Sequence, residues 1–163
     1  MTTTQLGDAT VTLVGDLPAV GSTAPDFALV DPALGDVTRD ASKRTVLNIF
    51  PSVDTGVCAA SVRQFNELAA SLDDTDVVNV SMDLPFAMGR FCGAEGIENV
   101  RLGSAFRSSF GDDFGVRLAD GGFAGLFARS VVVIDRDGTV LHSQLVPQVG
   151  QEPDYDAAVA SLT

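Results

Sequence analysis

Two apolar segments that flank a helix-like stretch constrain the fold of this chain more than any other feature. The first, residues 45–50, is nearly all apolar and β-compatible, and Pro51 ends it because proline cannot donate to a strand ladder. The apolar positions that follow are spaced alternately by four and three residues, as on one face of a helix: Cys58, Val62, Phe65, Ala69 and Leu72. Residues 77–82 are again strand-like. The order strand, helix, strand predicts a right-handed βαβ unit with parallel strands.

Weaker patterns place further elements on both sides of this unit. The additional predicted elements are strands at residues 10–14, 17–20, 25–30, 37–38, 130–134 and 139–146, and helices that begin at Pro85, at Ser104 and after the cap Asp154. We expect the first two of these strands to form an N-terminal hairpin. Gly93 and Gly96 are expected to break the helix that begins at Pro85. The Asp137-Gly138 step between the last two strands is a strong hairpin signal.

This succession of elements predicts an α/β domain with the thioredoxin-like fold. The β-α-β unit is followed by a helix and then by β-β-α, which gives a central mixed sheet flanked by helices. With 163 residues, the chain is expected to form one domain, residues 1–163, to which about residues 1–20 add the N-terminal hairpin. That length can bury a substantial core without disulfides or metals.

Composition and charge narrow the class of function. The chain has 22 acidic and 10 basic residues, for a net charge of −12. Nucleic acid and anionic membranes both reward a basic patch, so neither is expected as the main partner. No run of about 18 apolar residues suggests a membrane span, and residues 1–7 lack the features of a signal peptide. We therefore expect a soluble, cytoplasmic protein, in which two cysteines are more often free or catalytic than structural.

Cys58 is the first candidate for chemistry. One interpretation is a small apolar residue buried on a helix face. The other is a nucleophile, because a helix N-terminus carries partial positive charge and unsatisfied N–H groups, and both stabilise a thiolate. Thr55 is placed to cap the helix, and its hydroxyl can also bind a substrate oxygen or the thiolate. Pro51 either only ends the strand or also shields the thiolate from water.

Several segments, in the same order along the chain, resemble the peroxiredoxins. Pro51-x-x-x-Thr55-x-x-Cys58 is the complete active-site motif of that family. The segments that more narrowly resemble the bacterial thiol peroxidase subfamily are residues 48–55, 58–63, 83–87, 90–96 and 152–156. The resemblance runs from about Val11 to the C-terminus. Gly56 departs from it, since a proline is usual at that position and glycine loosens the turn.

The resemblance implies a role for each of several residues. Cys58 would be the peroxidatic cysteine and Cys92 the resolving one, joined after oxidation in an intramolecular disulfide. The family's active-site arginine falls at Arg129, which would otherwise be read as a surface charge at a strand edge. The resemblance also implies hydrogen peroxide and organic hydroperoxides as substrates, thioredoxin or a similar dithiol as reductant, and a homodimer packed near the active-site loops. No cofactor or metal is needed.

Two other functions remain open from the residues themselves. A thioredoxin-like disulfide oxidoreductase would share the fold, but the Cys-x-x-Cys motif of such proteins is absent. A non-enzymatic redox-binding module would carry two inert core cysteines. The single histidine, His142, is expected to be solvent-facing or satisfied rather than a base, and with two cysteines it does not make a zinc site. Phe86, Phe91 and Phe123 are expected to form an apolar pocket that favours alkyl or lipid hydroperoxides.

Overall fold

The computed structural model describes residues 2–163 and builds them around a seven-stranded mixed sheet. The strands are β1 (Thr3–Leu6), β2 (Ala9–Thr12), β3 (Ala28–Val30), β4 (Asp36–Thr38), β5 (Arg44–Ile49), β6 (Thr75–Ser81), β7 (Arg101–Ser104), β8 (Ser130–Ile134) and β9 (Val140–Leu145). The helices are α1 (Gly56–Ala69), α2 (Pro85–Glu95), α3 (Phe110–Asp113) and α4 (Tyr155–Ala160). Met1, which the predicted domain also includes, lies outside the described residues.

The strand order of the large sheet is β4-β3-β7-β6-β5-β8-β9. The three central strands β5, β6 and β7 run parallel to one another, and the outer pairs are antiparallel. A parallel pair needs a crossover connection, and α1 supplies the one between β5 and β6. The predicted α/β fold with a mixed central sheet flanked by helices is therefore confirmed, as is the parallel pairing of its first unit.

The core lies on both faces of this sheet, which explains the continuous apolar run in β5. Leu47 and Ile49 point into a cluster on one face, whereas Val46 packs on the opposite face against α1 and α4. All three side chains are buried. Full burial of each such side chain stabilises the fold by about 1.5–3 kcal/mol. A strand buried on both faces in this way fixes the position of the loop that follows it, where Pro51 and Thr55 lie.

Helix α1 carries its buried residues on the predicted face. Cys58, Val62 and Phe65 are buried, and Leu72 packs against the core although the helix ends at Ala69. The helix begins at Gly56, so Cys58 is its third residue. The sequence pattern thus correctly indicated a cysteine in the first turn of a helix that follows a buried strand.

The predicted partner of the N-terminal strand was wrong. β2 pairs with β1, residues 3–6, across the Gly7-Asp8 turn, and not with residues 17–20. Gly7 has a φ of +61°, a value that favours glycine in a tight turn. The segment at 17–20 instead runs towards the edge of β9, where the Gly21 N–H donates to the Val140 carbonyl. A polar four-residue strand such as β1 has too little apolar alternation to stand out in the sequence.

Two further expectations also need correction. Residues 104–110 do not form a helix, because residues 101–104 form β7 and only Phe110–Asp113 are helical. Pairing of β7 with β6 overrides the weak local preference of this segment. Gly93 does not break α2, which continues to Glu95 and ends at Gly96 with a φ of 64°. A single glycine costs a helix only about 1 kcal/mol, which tertiary packing offsets.

Candidate active site

The Cys58 thiol is completely buried and is held by one charged neighbour. Its Sγ accepts a hydrogen bond from Nη2 of Arg129 at 3.0 Å. The N–H groups of a first helical turn have no intrahelical partner. At the start of α1 neither a capping side chain nor an acidic residue occupies that end. The sulfur therefore lies where a guanidinium and free backbone dipoles both favour negative charge.

Arg129 immediately precedes β8 and is itself only 1% exposed. Its Nε donates to the Val149 carbonyl at 2.8 Å, and its Nη1 has no partner within the described part of the chain. It forms no ion pair with a carboxylate among residues 2–163. A buried guanidinium without a counter-charge is strongly destabilising. The Cys58 thiolate is the group within reach that can supply that charge, and Nη1 remains free to donate to a bound oxygen.

Thr55 and Pro51 lie beside this pair. Thr55 is the N-cap residue of α1, with extended backbone, but its side chain makes no cap hydrogen bond. Its hydroxyl instead donates to the Ser52 carbonyl at 3.1 Å. With its proton engaged there, the Thr55 oxygen keeps its acceptor positions for a hydroxyl of a bound molecule. Pro51 is buried and lines the same cavity as Thr55.

Asp83 fixes the loop that carries these residues, and sequence reasoning missed this role. Its carboxylate accepts hydrogen bonds from Oγ of Ser52 at 2.7 Å and from the N–H of Val53 at 2.9 Å. Oγ of Ser81 donates to the same carboxylate at 2.6 Å. Asp83 follows β6, the parallel neighbour of β5, so the two loops meet at one edge of the sheet. The signal available in the sequence was an acidic residue directly after a predicted buried strand.

A cavity of about 390 Å³ opens onto Arg129 and the start of α1. Its walls are largely apolar and come from five parts of the chain: Leu6, Gly7, Pro51, Thr55, Gly56, Val57, Phe123, Arg129, Gln148, Val149 and Gly150. A largely apolar wall with a few convergent polar groups is typical of a small-molecule site. The site thus combines a buried sulfur–guanidinium pair with room for a small molecule.

The N-terminal hairpin is an unforeseen part of this cavity. The β1–β2 turn is held against residues 147–149 by paired hydrogen bonds: Gln148 accepts from the Gly7 N–H and donates to the Gly7 carbonyl. Val149 also donates its N–H to the Gln5 carbonyl at 2.8 Å. These contacts join residues more than 140 positions apart, so no local pattern predicts them.

The expected pocket of three phenylalanines does not form. Phe123 lines the cavity, but Phe86 is 69% exposed on α2. Phe91 packs in the cluster with Cys58 and Met88, behind the cavity rather than in it. Phe86 and Phe91, both on α2, are separated from Phe123 because α2 covers a different part of the sheet from the 121–125 loop. The apolar wall is instead formed by Leu6, Phe123 and Val149.

Cys92 lies on α2, partly buried, and is a free thiol like Cys58. It packs at the edge of the cluster that contains Cys58, but it lines a second cavity together with Pro32 and Leu102. Burial raises the pKa of the Cys92 thiol. Burial thus favours the protonated form of Cys92, whereas the Cys58 sulfur has a cation at hydrogen-bond distance.

Neither the histidine nor any acidic cluster offers a metal site in the described structure. Within residues 2–163, no group of three or more His, Cys, Asp or Glu side chains could hold an ion. Burial lowers the pKa of His142, with Asp154 acting in the opposite direction, and its buried Nε2 lacks a hydrogen-bond partner. His142 is thus neither fully solvent-facing nor fully satisfied, and it lies on β9 away from the cavity lining.

The chain is similar to known proteins over most of its length. A family model described as Redoxin matches residues 19–159. A thiol peroxidase from Corynebacterium glutamicum is 57% identical over 150 residues, covering 91% of each chain. A thiol peroxidase from Mycobacterium tuberculosis is 58% identical over 154 residues, covering 93% of each chain.

Solved structures give the same result for the fold. A peroxiredoxin-like protein from Aquifex aeolicus superposes with a TM-score of 0.94 at 39% identity, covering 98% of this chain and 95% of that one. A thiol peroxidase from Chromobacterium violaceum has a TM-score of 0.90 at 22% identity, covering 98% and 94%. The thioredoxin-like fold is thereby confirmed. From near full-length likeness at this level, we conclude that the chain belongs to the redoxin family, among its peroxiredoxins of the thiol peroxidase type.

Proposed function

We propose that this protein is a thiol-dependent peroxidase in which Cys58 attacks the peroxide. The observation that carries the proposal is the buried Sγ–Nη2 contact of 3.0 Å between Cys58 and Arg129, beside a cavity and at a helix N-terminus. Membership of the thiol peroxidases favours this activity over that of a disulfide oxidoreductase or a non-enzymatic redox-binding module.

In the first step the Cys58 thiolate displaces one oxygen of the peroxide bond. An S–O bond forms, the O–O bond breaks, and the leaving alkoxide or hydroxide takes up a proton. The unpartnered Nη1 of Arg129 and the N–H groups of the first turn are the donors that would stabilise the charge on the departing oxygen. Thr55 accepts a hydrogen bond from the peroxide hydroxyl and orients it, while Pro51 keeps water from the sulfur. Cys58 becomes a sulfenic acid.

In the second step the Cys92 thiol attacks the Cys58 sulfenic sulfur, and water leaves as the disulfide forms. A dithiol reductant, which we propose to be thioredoxin, then restores both thiols by exchange. Burial keeps Cys92 protonated until this step, which prevents it from competing for peroxide. Hydrogen peroxide and organic hydroperoxides are the proposed substrates. No metal or cofactor takes part in this cycle.

We also propose the setting in which the enzyme works. The chain would act in the cytoplasm as a homodimer of one-domain subunits, residues 1–163, in which about residues 1–20, with the β1–β2 hairpin at residues 3–12, extend the thioredoxin-like core. The net charge of −12 speaks against nucleic acid and anionic membranes as partners. Among residues 2–163, none of the helices combines the length and hydrophobicity that a membrane crossing needs. Light scattering at micromolar concentration tests the dimer, and a monomer mass would refute it.

The test of the activity is peroxide consumption by purified protein with thioredoxin, thioredoxin reductase and NADPH. We expect turnover with the wild type and none above background with Cys58→Ser. His142→Gln serves as the control, because His142 is not part of the cavity lining, and it should retain the wild-type rate. Full activity of Cys58→Ser would refute the proposal.

A further inference from the structure

A chain of buried polar side chains lies beneath Cys58, between helix α1 and the sheet. Its members are Ser61 on α1, Asn48 on β5 and Asn79 on β6, and all three are completely buried. Asn48 and Asn79 are direct neighbours across the parallel strand pair. Val46 and Phe50, two positions before and after Asn48, belong to the apolar clusters around Phe65 and around Cys58, respectively. The mechanism described above uses none of the three polar residues.

The hydrogen bonds of this chain run outward from Asn48, on one side through Ser61 to the backbone of Cys58 and on the other through Asn79 to the backbone of β7. Oγ of Ser61 donates to the Cys58 carbonyl at 2.8 Å. Nδ2 of Asn48 donates both to Oγ of Ser61 at 3.2 Å and to Oδ1 of Asn79 at 2.9 Å. Asn79 in turn donates to the Arg101 carbonyl on β7 at 3.2 Å. The residue that carries the reactive sulfur is thus tied through its own carbonyl to three strands of the sheet.

Stability alone does not account for this arrangement. Burying an amide is unfavourable unless each polar atom is paired, and Oδ1 of Asn48 has no partner in the described structure. Apolar side chains at the same positions would avoid that penalty, as they do at the neighbouring residues Val46 and Val77. Hydrogen-bonded chains in a low-dielectric interior strengthen one another, so the ties on Cys58 act as a unit.

The Cys58 sulfur, the Cys92 sulfur or both must move before they can bond to each other. Sγ of Cys58 is held by Arg129 behind the cavity near Phe123, whereas Cys92 faces the second cavity beside Pro32. Both cysteines are free in this conformation. A disulfide requires an S–S distance of about 2.05 Å, so its formation has to disturb the first turn of α1, the segment around Cys92, or both.

We propose that Ser61, Asn48 and Asn79 are positioning residues that anchor the first turn of α1 and thereby set how readily Cys58 moves to Cys92. The proposal rests on the thiol peroxidase function given above. Two reactions compete for the Cys58 sulfenic acid. Attack by the Cys92 thiol releases water and forms the disulfide, whereas a second peroxide molecule transfers an oxygen to the sulfur, giving sulfinic acid and releasing water from hydrogen peroxide or the alcohol from an organic hydroperoxide. A firmer anchor slows the first reaction and so favours the second.

The test is the variant Ser61→Ala, compared with Ser71→Ala. Oγ of Ser71 makes the same type of bond, to the Leu68 carbonyl at 3.1 Å, but it does so beyond the C-terminal end of α1 and in an exposed position. Reduced protein is mixed with hydrogen peroxide at increasing concentrations. Stopped flow measures sulfenic acid and disulfide formation, and mass spectrometry measures the fraction of Cys58 that becomes sulfinic acid.

We expect Ser61→Ala to form the disulfide about fivefold faster, the scale of one lost hydrogen bond, and to accumulate correspondingly less sulfinic acid. The rate of the first step should stay within about twofold of the wild type, which separates loss of this anchor from general damage to the site. Ser71→Ala should behave as the wild type in both steps. Should Ser61→Ala give little folded protein, Asn48→Leu makes the same test by detaching Ser61 from the sheet.

Two results would overturn the inference. One is that the ratio of disulfide to sulfinic acid is the same in Ser61→Ala, Ser71→Ala and the wild type. The other is slower disulfide formation in Ser61→Ala. Failure of the proposed function has a different signature, because the wild type itself would then form no sulfenic acid at Cys58.

Discussion

The sulfur of Cys58 and the guanidinium of Arg129 each depend on the other. Arginine remains charged at any physiological pH, and Arg129 is buried without a carboxylate partner among residues 2–163. Its Nε is anchored to the Val149 carbonyl, which directs the planar group at the sulfur. The ammonium group of a lysine at this position could not contact the Val149 carbonyl and the Cys58 sulfur together in this planar arrangement. The planar, forked geometry of the guanidinium, as well as its positive charge, therefore determines how Arg129 contacts the Cys58 sulfur.

The first prediction concerns Arg129→Lys. The substitution keeps the positive charge but removes the forked contact to Val149 and Cys58, as well as the free Nη1. We expect kcat/KM for hydrogen peroxide to fall by about 100-fold, the scale seen when one oxyanion donor is lost. Steady-state kinetics measures the fall, and circular dichroism checks that the variant is folded. A folded variant with wild-type kcat/KM would contradict the role given to the guanidinium fork.

A second prediction concerns Gly56, where this chain lacks the proline usual in its family. Gly56 is the first residue of α1, a position that suits proline, and a Cβ there would meet no heavy atom within 4 Å. The preceding Thr55 is already extended, as a residue before proline must be. We expect Gly56→Pro to raise the free energy of unfolding by about 0.4–1 kcal/mol, measured by urea denaturation.

The same substitution should slow disulfide formation, because proline stiffens the turn that has to move. Gly56→Ala is the matched control, since it adds a Cβ without the ring. Stopped-flow measurement of the step after sulfenic acid formation compares the three proteins. Faster disulfide formation in Gly56→Pro than in Gly56→Ala would show that stiffness of this turn is not limiting.

At the scale of elements, an ion pair joins the loop before α1 to helix α2. Nη2 of Arg90 contacts both carboxylate oxygens of Asp54, at 2.8 and 3.1 Å. Arg90 lies on α2 in the turn before Cys92, so the pair links the surroundings of the two cysteines. Both side chains are about two-thirds exposed, at 66% and 64%, and the pair is therefore worth only about 0.2–1 kcal/mol.

The third prediction follows from that link. Arg90→Gln should speed disulfide formation by up to about fivefold at low salt, because it releases α2 from the loop. The gain should disappear at about 1 M salt, where exposed charges are screened within a few ångströms. Asp54→Asn should give the same gain, and the double variant should add nothing to it. A gain that is independent of salt would exclude the ion pair as its origin.

The elements that the sequence predicted best are those whose signal lies within a short stretch of consecutive residues. β5, α1 and the β8–β9 hairpin were identified because burial on two faces, helical spacing and an Asp-Gly turn are local signals. β7 was missed because it is a strand only by virtue of its pairing with β6. The β1–β2 turn and the segment around Gln148 meet at the site although they are 141 positions apart in the sequence, so no local sequence pattern could predict their contact. The resemblance to a known family, and not periodicity, singled out Arg129.

At the scale of the whole molecule, the C-terminal helix closes the sheet face that also carries α1. Tyr155 on α4 packs edge-on against Phe65, with ring centroids 5.1 Å apart. Its hydroxyl donates to Glu152 at 2.8 Å. Burial, followed by this hydrogen bond to Glu152, raises the pKa of Tyr155 above its ordinary value of 10.0. The folded protein therefore holds the phenol proton more tightly than the unfolded chain does.

The fourth prediction is a loss of stability in alkali that depends on Tyr155. Because the pKa of the folded state is the higher one, the stabilisation is complete below the unfolded value of 10.0 and is lost as the pH rises above it. Urea unfolding at pH 8 and about pH 10.5 should show a larger loss for the wild type than for Tyr155→Phe. Equal losses in the two proteins would mean that this phenol is not coupled to folding.

The central claim is that peroxide oxidises Cys58 first. The most direct measurement uses the Cys92→Ser variant, which cannot form the disulfide, treated with one equivalent of hydrogen peroxide and then with dimedone to trap a sulfenic acid. Peptide mass spectrometry should find the adduct on Cys58, and the reciprocal variant Cys58→Ser should show none on Cys92. An adduct on Cys92 in Cys58→Ser, or none on Cys58 in Cys92→Ser, would contradict this account.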